Sequence, residues 1–166
     1  MKLKTNDTAL PKRKRIFLVD QSPLARLAVA QQLQQTPGLA VCGHADNATV
    51  ALAAIGQSRP DIVVTDIIQD LSFIRNLHRR HPRLPILVFS ARDEACYAPR
   101  ALEAGADGYL LKEGGRDLLV ESIRHALAGR LVLSPQMRYR LLAKCVKHRA
   151  RRSGPRQKQC RSAARH

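Results

Sequence analysis

From Arg15 onward, short apolar runs alternate with longer stretches of helical spacing. Arg15-Ile16-Phe17-Leu18-Val19 is too short for a helix and predicts a buried strand running into Asp20. Ser22-Pro23 then supplies a helix start, and Leu24, Leu27, Ala28 and Leu33 recur at helical spacing until Pro37-Gly38 stops the element. Leu39 to Ala45 reads as a second strand, and Asn47 caps a small-residue helix, Ala48 to Ile55, that stops at Gly56. Ile62 to Thr65, β-branched throughout, predicts a third strand that ends on Asp66. Leu71, Ile74 and Leu77 give the next helix one apolar face before His81-Pro82. Leu84 to Phe89 is a fourth strand ending on Ser90, followed by a helix from Glu94 to Ala104 that Pro99 interrupts and Gly105 closes. Gly108 to Leu111 is a fifth strand ending on Lys112. Arg116 to Ala128 is its helix, with Leu118, Leu119, Ile123 and Leu127 inward and Gly129 as C-cap. A last helix runs from Pro135 to about His148.

Five strict strand-helix alternations imply a parallel sheet with right-handed crossovers and helices on both faces. The expected fold is α/β: a flavodoxin-like, doubly wound five-stranded parallel sheet of order 2-1-3-4-5, with a C-terminal basic helix and tail. Its crevice lies beside the first and third strands. Asp20-Gln21-Ser22-Pro23 stands where a Gly-rich fingerprint would be, which disfavours nucleotide binding. The divisions expected are a basic mobile leader, 1–14, a domain, 15–131, and a basic helix with a disordered tail, 132–166.

Charge is distributed unevenly. The net +16 lies entirely in the two ends, since residues 16–137 hold twelve Lys or Arg and twelve acids. The ends are candidates for a polyanion and the body is a balanced domain. Aromatics are 4% and Trp is absent, so the core must be aliphatic, as suits a helix-covered parallel sheet. Cys42, Cys96, Cys145 and Cys160 have no zinc or redox spacing, and Cys42 and Cys96 read as small core residues. With no membrane span and no signal peptide, a cytoplasmic protein without a membrane partner is expected.

Asp20, Asp66, Ser90 and Lys112 all end strands, and the doubly wound order would bring them into one crevice. A lone carboxylate after a strand is ordinarily a loop or capping residue. Four polar residues at successive strand ends are a different matter. Asp66 can attack phosphorus as a carboxylate nucleophile, and Asp20 can hold a hard cation such as Mg²⁺. Lys112 can neutralise phosphoryl oxygens, and Ser90 can donate a hydrogen bond to one of them.

RIFLVDQSPLAR, RPDIVVTD, ILVFSARDE, ALEAGADGYLLKEG and AGRLVLSP resemble the receiver domain of bacterial two-component response regulators, the NarL/LuxR type above all. The likeness runs from about Arg15 to Ser134. It implies Asp66 as phosphoacceptor, Ser90 and Lys112 at the phosphoryl group, and Tyr109 as the aromatic switch. Mg²⁺ would be held by Asp20, Asp66 and the backbone carbonyl of Ile68. A sensor histidine kinase and a downstream protein would be the partners, and a homodimer is a further candidate.

Three departures from the pattern bear on function. Gln21 stands where the family carries a second acid, and an amide brings no charge to the metal. The loop after Asp66 is about four residues short. The 35 residues after Leu131 are too few for the family's helix-turn-helix domain, and instead carry Arg149, Arg151, Arg152, Arg156 and Lys158, a tail suited to non-specific contact with nucleic acid. The expected function is therefore a non-enzymatic receiver in two-component phosphorelay signalling, phosphorylated on Asp66, with a weakened Mg²⁺ site. The alternative is a receiver-like module that works without phosphate and binds DNA or another anion through its tail. An aspartate-nucleophile phosphatase is disfavoured, because the position two after Asp66 is Ile68.

Overall fold

The computed structural model describes residues 12–67, 70–114 and 116–152, and side chains within that range except those of residues 116 and 144–152. Five parallel strands form one sheet: β1 (Lys14–Val19), β2 (Leu39–Ala45), β3 (Ile62–Thr65), β4 (Ile86–Ser90) and β5 (Gly108–Leu111). Their order is β2-β1-β3-β4-β5. Helices α1 (Pro23–Gln35), α2 (Ala48–Ser58), α3 (Ser72–Arg80), α4 (Glu94–Glu103) and α5 (Arg116–Leu127) connect or follow the strands. The doubly wound expectation holds.

Two-residue periodicity divides each strand between two cores. Ile16, Leu18, Ile62, Val64, Leu87 and Phe89 form one buried cluster with Leu33 of α1 and with Leu119 and Ile123 of α5. The alternate residues Phe17, Val63, Ile86 and Val88 are equally buried and turn to the opposite face. The register pairs Ile16 with Ile62 and Val63 with Ile86, so the carboxyl ends of β1, β3 and β4 stand level. That alignment brings Asp20, Asp66 and Ser90 to one end of the sheet.

Local chemistry fixes the helix starts. The Ser22 side chain accepts from the Ala25 amide with Pro23 at the first helical position, and Asn47 accepts from Val50. Gly129 has φ +71°, as a C-capping glycine requires.

Several expectations need correction. Leu24 and Leu27 are exposed, because α1 turns a different stripe inward: Arg26, Val29, Ala30 and Leu33, at spacings of three and four. Leu118 is exposed as well, whereas Leu119 and Ile123 are buried as expected and Ala126 joins them. Cys96 is exposed and Cys42 half-buried, so neither is a core residue. Helix α2 passes through Gly56 to Ser58, and its cap is Arg59 at φ +45°, a left-handed conformation unusual for a side-chain-bearing residue. Pro99 lies inside α4 without breaking it. Strand β4 starts at Ile86, two residues late, because Pro85 contributes a carbonyl to Val63 but has no amide to give.

Residues 135–166 form a separate unit, of which α6 (Pro135–Arg152) is described. Among the described residues no helix is long and apolar enough to cross a membrane.

Candidate phosphoryl site

Asp20 follows β1. Its Oδ1 accepts the Ser22 amide at 2.8 Å, which both starts α1 and fixes the carboxylate, while its backbone carbonyl accepts Arg26 Nη1 at 2.5 Å. Asp66 follows β3, where its amide donates to the Val19 carbonyl and its Oδ1 accepts the Ile67 amide at 2.7 Å. Each aspartate thus keeps its Oδ2 turned to the crevice. Lys112, opening a 3₁₀ turn (Lys112–Gly114) after β5, donates from Nζ to Asp20 Oδ2 at 2.7 Å and to Asp66 Oδ2 at 2.6 Å. Its ammonium also lies 6.0 Å from the centre of the Phe89 ring.

Two carboxylates facing one ammonium leave a formal excess of one negative charge. Burial works against the charged lysine, but the hydrogen bonds to Asp20 and Asp66 outweigh it and raise the Lys112 pKa above the ordinary lysine value. The pocket holds its cation firmly.

Ser90 is the last residue of β4 and fully buried; its Oγ accepts the Arg92 amide at 3.3 Å. Tyr109, on neighbouring β5, is also fully buried, and its hydroxyl donates to the Arg92 carbonyl at 2.8 Å. Burial pushes the phenol up to about 12, with hydrogen bonding to Ser90 pulling the other way and the charges of Asp66 and Glu94 adding to the rise. Arg92 therefore ties Ser90 and Tyr109 together through its own backbone amide and carbonyl.

Asp20, Asp66, Ser90 and Lys112 all stand at the carboxyl ends of their strands, and Tyr109 lies within β5, its hydroxyl reaching Arg92 just past β4. Gln21 is exposed beside Asp20, and Ile68 lies outside the described residues. Arg149, Arg151 and Arg152 belong to α6, but their side chains lie outside the described residues, as do Arg156 and Lys158 altogether. Sequence reasoning missed Arg26, which lines a small pocket with Asp20, Asp66 and Phe89. Its signal was the stripe of α1, which places Arg26 one turn above the Ser22 cap and over the strand ends.

For Mg²⁺ the donor set is minimal. Among the described residues no three His, Cys, Asp or Glu converge. Two oxygen-donating carboxylates do, and that suffices for an ion that keeps several waters and takes ligands from a phosphoryl group.

Residues 16–124 match the response regulator receiver domain. The chain belongs to that family. The receiver domain is 33% identical over 134 residues to the response regulator GacA of Pseudomonas viridiflava, covering 78% of this chain and 63% of that protein. It is 30% identical over 139 residues to the nitrate/nitrite response regulator NarL of Escherichia coli K12, covering 81% and 64%. The chain thus spans less than two thirds of the length of these curated relatives. A LuxR-family two-component response regulator from Aurantimonas sp. SI85-9A1 superposes with a TM-score of 0.74 at 31% identity, covering 81% of this chain and 99% of that one. The resemblance to NarL/LuxR-type receivers and the flavodoxin-like fold are both borne out.

Proposed function

We propose that this receiver domain accepts a phosphoryl group on Asp66 and passes the change to a downstream protein through Ser90 and Tyr109. The observation that carries this reading is the convergence of Asp20, Asp66 and Lys112 from three strand ends within 2.7 Å contacts. In the transfer, an Asp66 carboxylate oxygen forms the new bond to phosphorus while the bond to the donor's phosphorylated histidine breaks. The departing imidazole takes up a proton. Lys112 sits where it can share its charge with the arriving phosphoryl oxygens, releasing Asp66 to react. Ser90 supplies a hydroxyl in the same crevice.

Mg²⁺ would be held by Asp20 and Asp66, and its chemistry there is neutralisation of charge on the phosphoryl oxygens. Gln21 contributes no third negative charge, so the metal is held more weakly than by a pair of acids after β1. A sensor histidine kinase is the donor the family implies. The protein acts as a signal receiver and not as an enzyme in its own right.

Incubation with acetyl phosphate and Mg²⁺, followed by intact mass spectrometry, tests this. The wild-type chain should gain one phosphoryl mass that hydroxylamine removes, Asp66→Asn should gain none, and Gln21→Asp should gain it at lower Mg²⁺. A wild-type chain that stays unmodified while Gln21→Asp is modified would overturn the reading. It would favour the second one, a module working without phosphate, to which the neutral Gln21 already points.

A further inference from the structure

The end of the sheet opposite Asp66 carries a different chemistry. In a parallel sheet all the strands begin together, and here the amino ends of the adjacent β1, β3 and β4 carry Lys14 and Arg15, Arg59 just ahead of β3, and Arg83 just ahead of β4. Arg79 and Arg80 end α3 beside them, and all six side chains are exposed. The backbone locks these segments to one another. The Arg15 guanidinium donates to the Ser58 carbonyl at 2.7 Å, next to Arg59, and the Asp61 amide donates to the Arg15 carbonyl at 2.7 Å. Pro60, Asp61, His81, Pro82, Arg83 and Leu84 line one open groove, so the β3 and β4 entries are neighbours in space.

The acids at this end are already engaged. Asp61 accepts the Arg15 amide and pairs with Lys14 at 3.8 Å, and Asp107 accepts the Ile86 amide at 2.9 Å. Among the described residues, none of the five arginines is paired with an acid. The dipole of α3 accounts for cations at Arg79 and Arg80. It does not account for Arg83 in a loop or for Lys14 and Arg15 at the start of a strand. Arg59, moreover, is held at φ +45°, a conformation with a steric cost for any residue with a Cβ.

We infer that this face, built on Lys14, Arg15, Arg59, Arg79, Arg80 and Arg83, docks the sugar-phosphate backbone of duplex nucleic acid. Five of the six cations are arginines, whose planar forks match phosphate oxygens. Adjacent strand entries are spaced on the order of 5 Å apart, so the folded sheet fixes the charges in a row. A lipid surface fits less well: the exposed large hydrophobic side chains do not fall among residues 12–15, 59–61 or 79–84, whereas an interfacial surface inserts such groups. Because the acidic crevice lies at the other end of the sheet, docking leaves Asp66 accessible and proceeds whether or not Asp66 is modified. Nothing in these contacts reads base edges, so binding is without sequence preference.

The test uses the full chain and a fluorescein-labelled duplex of random sequence, with affinity followed by anisotropy across a salt series. Arg79→Gln/Arg80→Gln/Arg83→Gln should lose affinity by about tenfold or more at moderate salt, and its log-log salt slope should fall by close to three, since each phosphate contact contributes about 0.9. Arg59→Gly removes one charge at a position where glycine is at ease, and should lower the slope by about one with the fold intact. A chain with Arg149→Gln, Arg151→Gln and Arg152→Gln separates the tail's share. If that chain loses all affinity while the triple variant and Arg59→Gly match wild type, the proposal is overturned. Binding to phosphatidylserine vesicles without binding to the duplex overturns it as well.

Discussion

At the residue scale, Lys112 decides most about the crevice. Among the described residues it is the one cation that touches both Asp20 and Asp66, at 2.7 and 2.6 Å, and removing it would leave two carboxylates facing each other in a partly buried site. Lys112→Ala should cost about 1.5–3 kcal/mol of stability near neutral pH, the range for charge-assisted hydrogen bonds. Denaturant unfolding of the two chains at neutral pH checks it. The four strand-end residues were legible in the sequence because each terminates an apolar run, and a parallel sheet gathers such ends. Arg26 was not legible in that way. Its guanidinium reaches back to the Asp20 carbonyl from a helix whose leucines, Leu24 and Leu27, advertise the wrong face. Nor could spacing reveal the Arg92 backbone joining Ser90 to Tyr109, since that link depends on how the loop after β4 folds back.

At the scale of elements, one closely approached glycine and one left-handed arginine make separable predictions. A Cβ at Gly108 would stand 2.5 Å from Val132 Cβ and 2.8 Å from the Val132 carbonyl, which accepts the Tyr109 amide. Gly108→Ala should therefore push residue 132 off the edge of β5, at a cost of about 1–3 kcal/mol, with earlier amide exchange at Tyr109 as the sign. Arg59→Gly should instead stabilise, by about 1 kcal/mol, as a raised melting temperature would show. The order and type of elements could be read from alternation alone, yet their ends could not. Gly56 looked like a stop, but α2 needs two more residues before Arg59 turns the chain into β3. Pro99 looked like a break, since an interior proline both removes the hydrogen bond to the residue four before it and crowds that residue's carbonyl, yet α4 runs on with Ala98 and Ala101 buried.

At the scale of the molecule, Asp20 and Asp66 meet Lys112 at the carboxyl ends of the strands, while Arg15, Arg59 and Arg83 stand at the amino ends of β1, β3 and β4. Buried Tyr109 links this architecture to pH. Its folded pKa stands at about 12 against an ordinary 10.0, so above about pH 10 the unfolded chain releases that proton first and the folded state loses stability as pH rises toward 12. Lys112, also raised when folded, adds a loss in the same alkaline direction as pH rises from its ordinary value toward its folded one. Tyr109→Phe should flatten part of the decline in unfolding free energy across that window. The central claim, that Asp20, Asp66 and Lys112 make one pocket for a phosphoryl group, is tested most directly by fluorine NMR of the chain with beryllofluoride and Mg²⁺. Bound fluoride resonances should appear with wild type and be absent with Asp66→Ala, whereas identical spectra for the two chains would contradict the account.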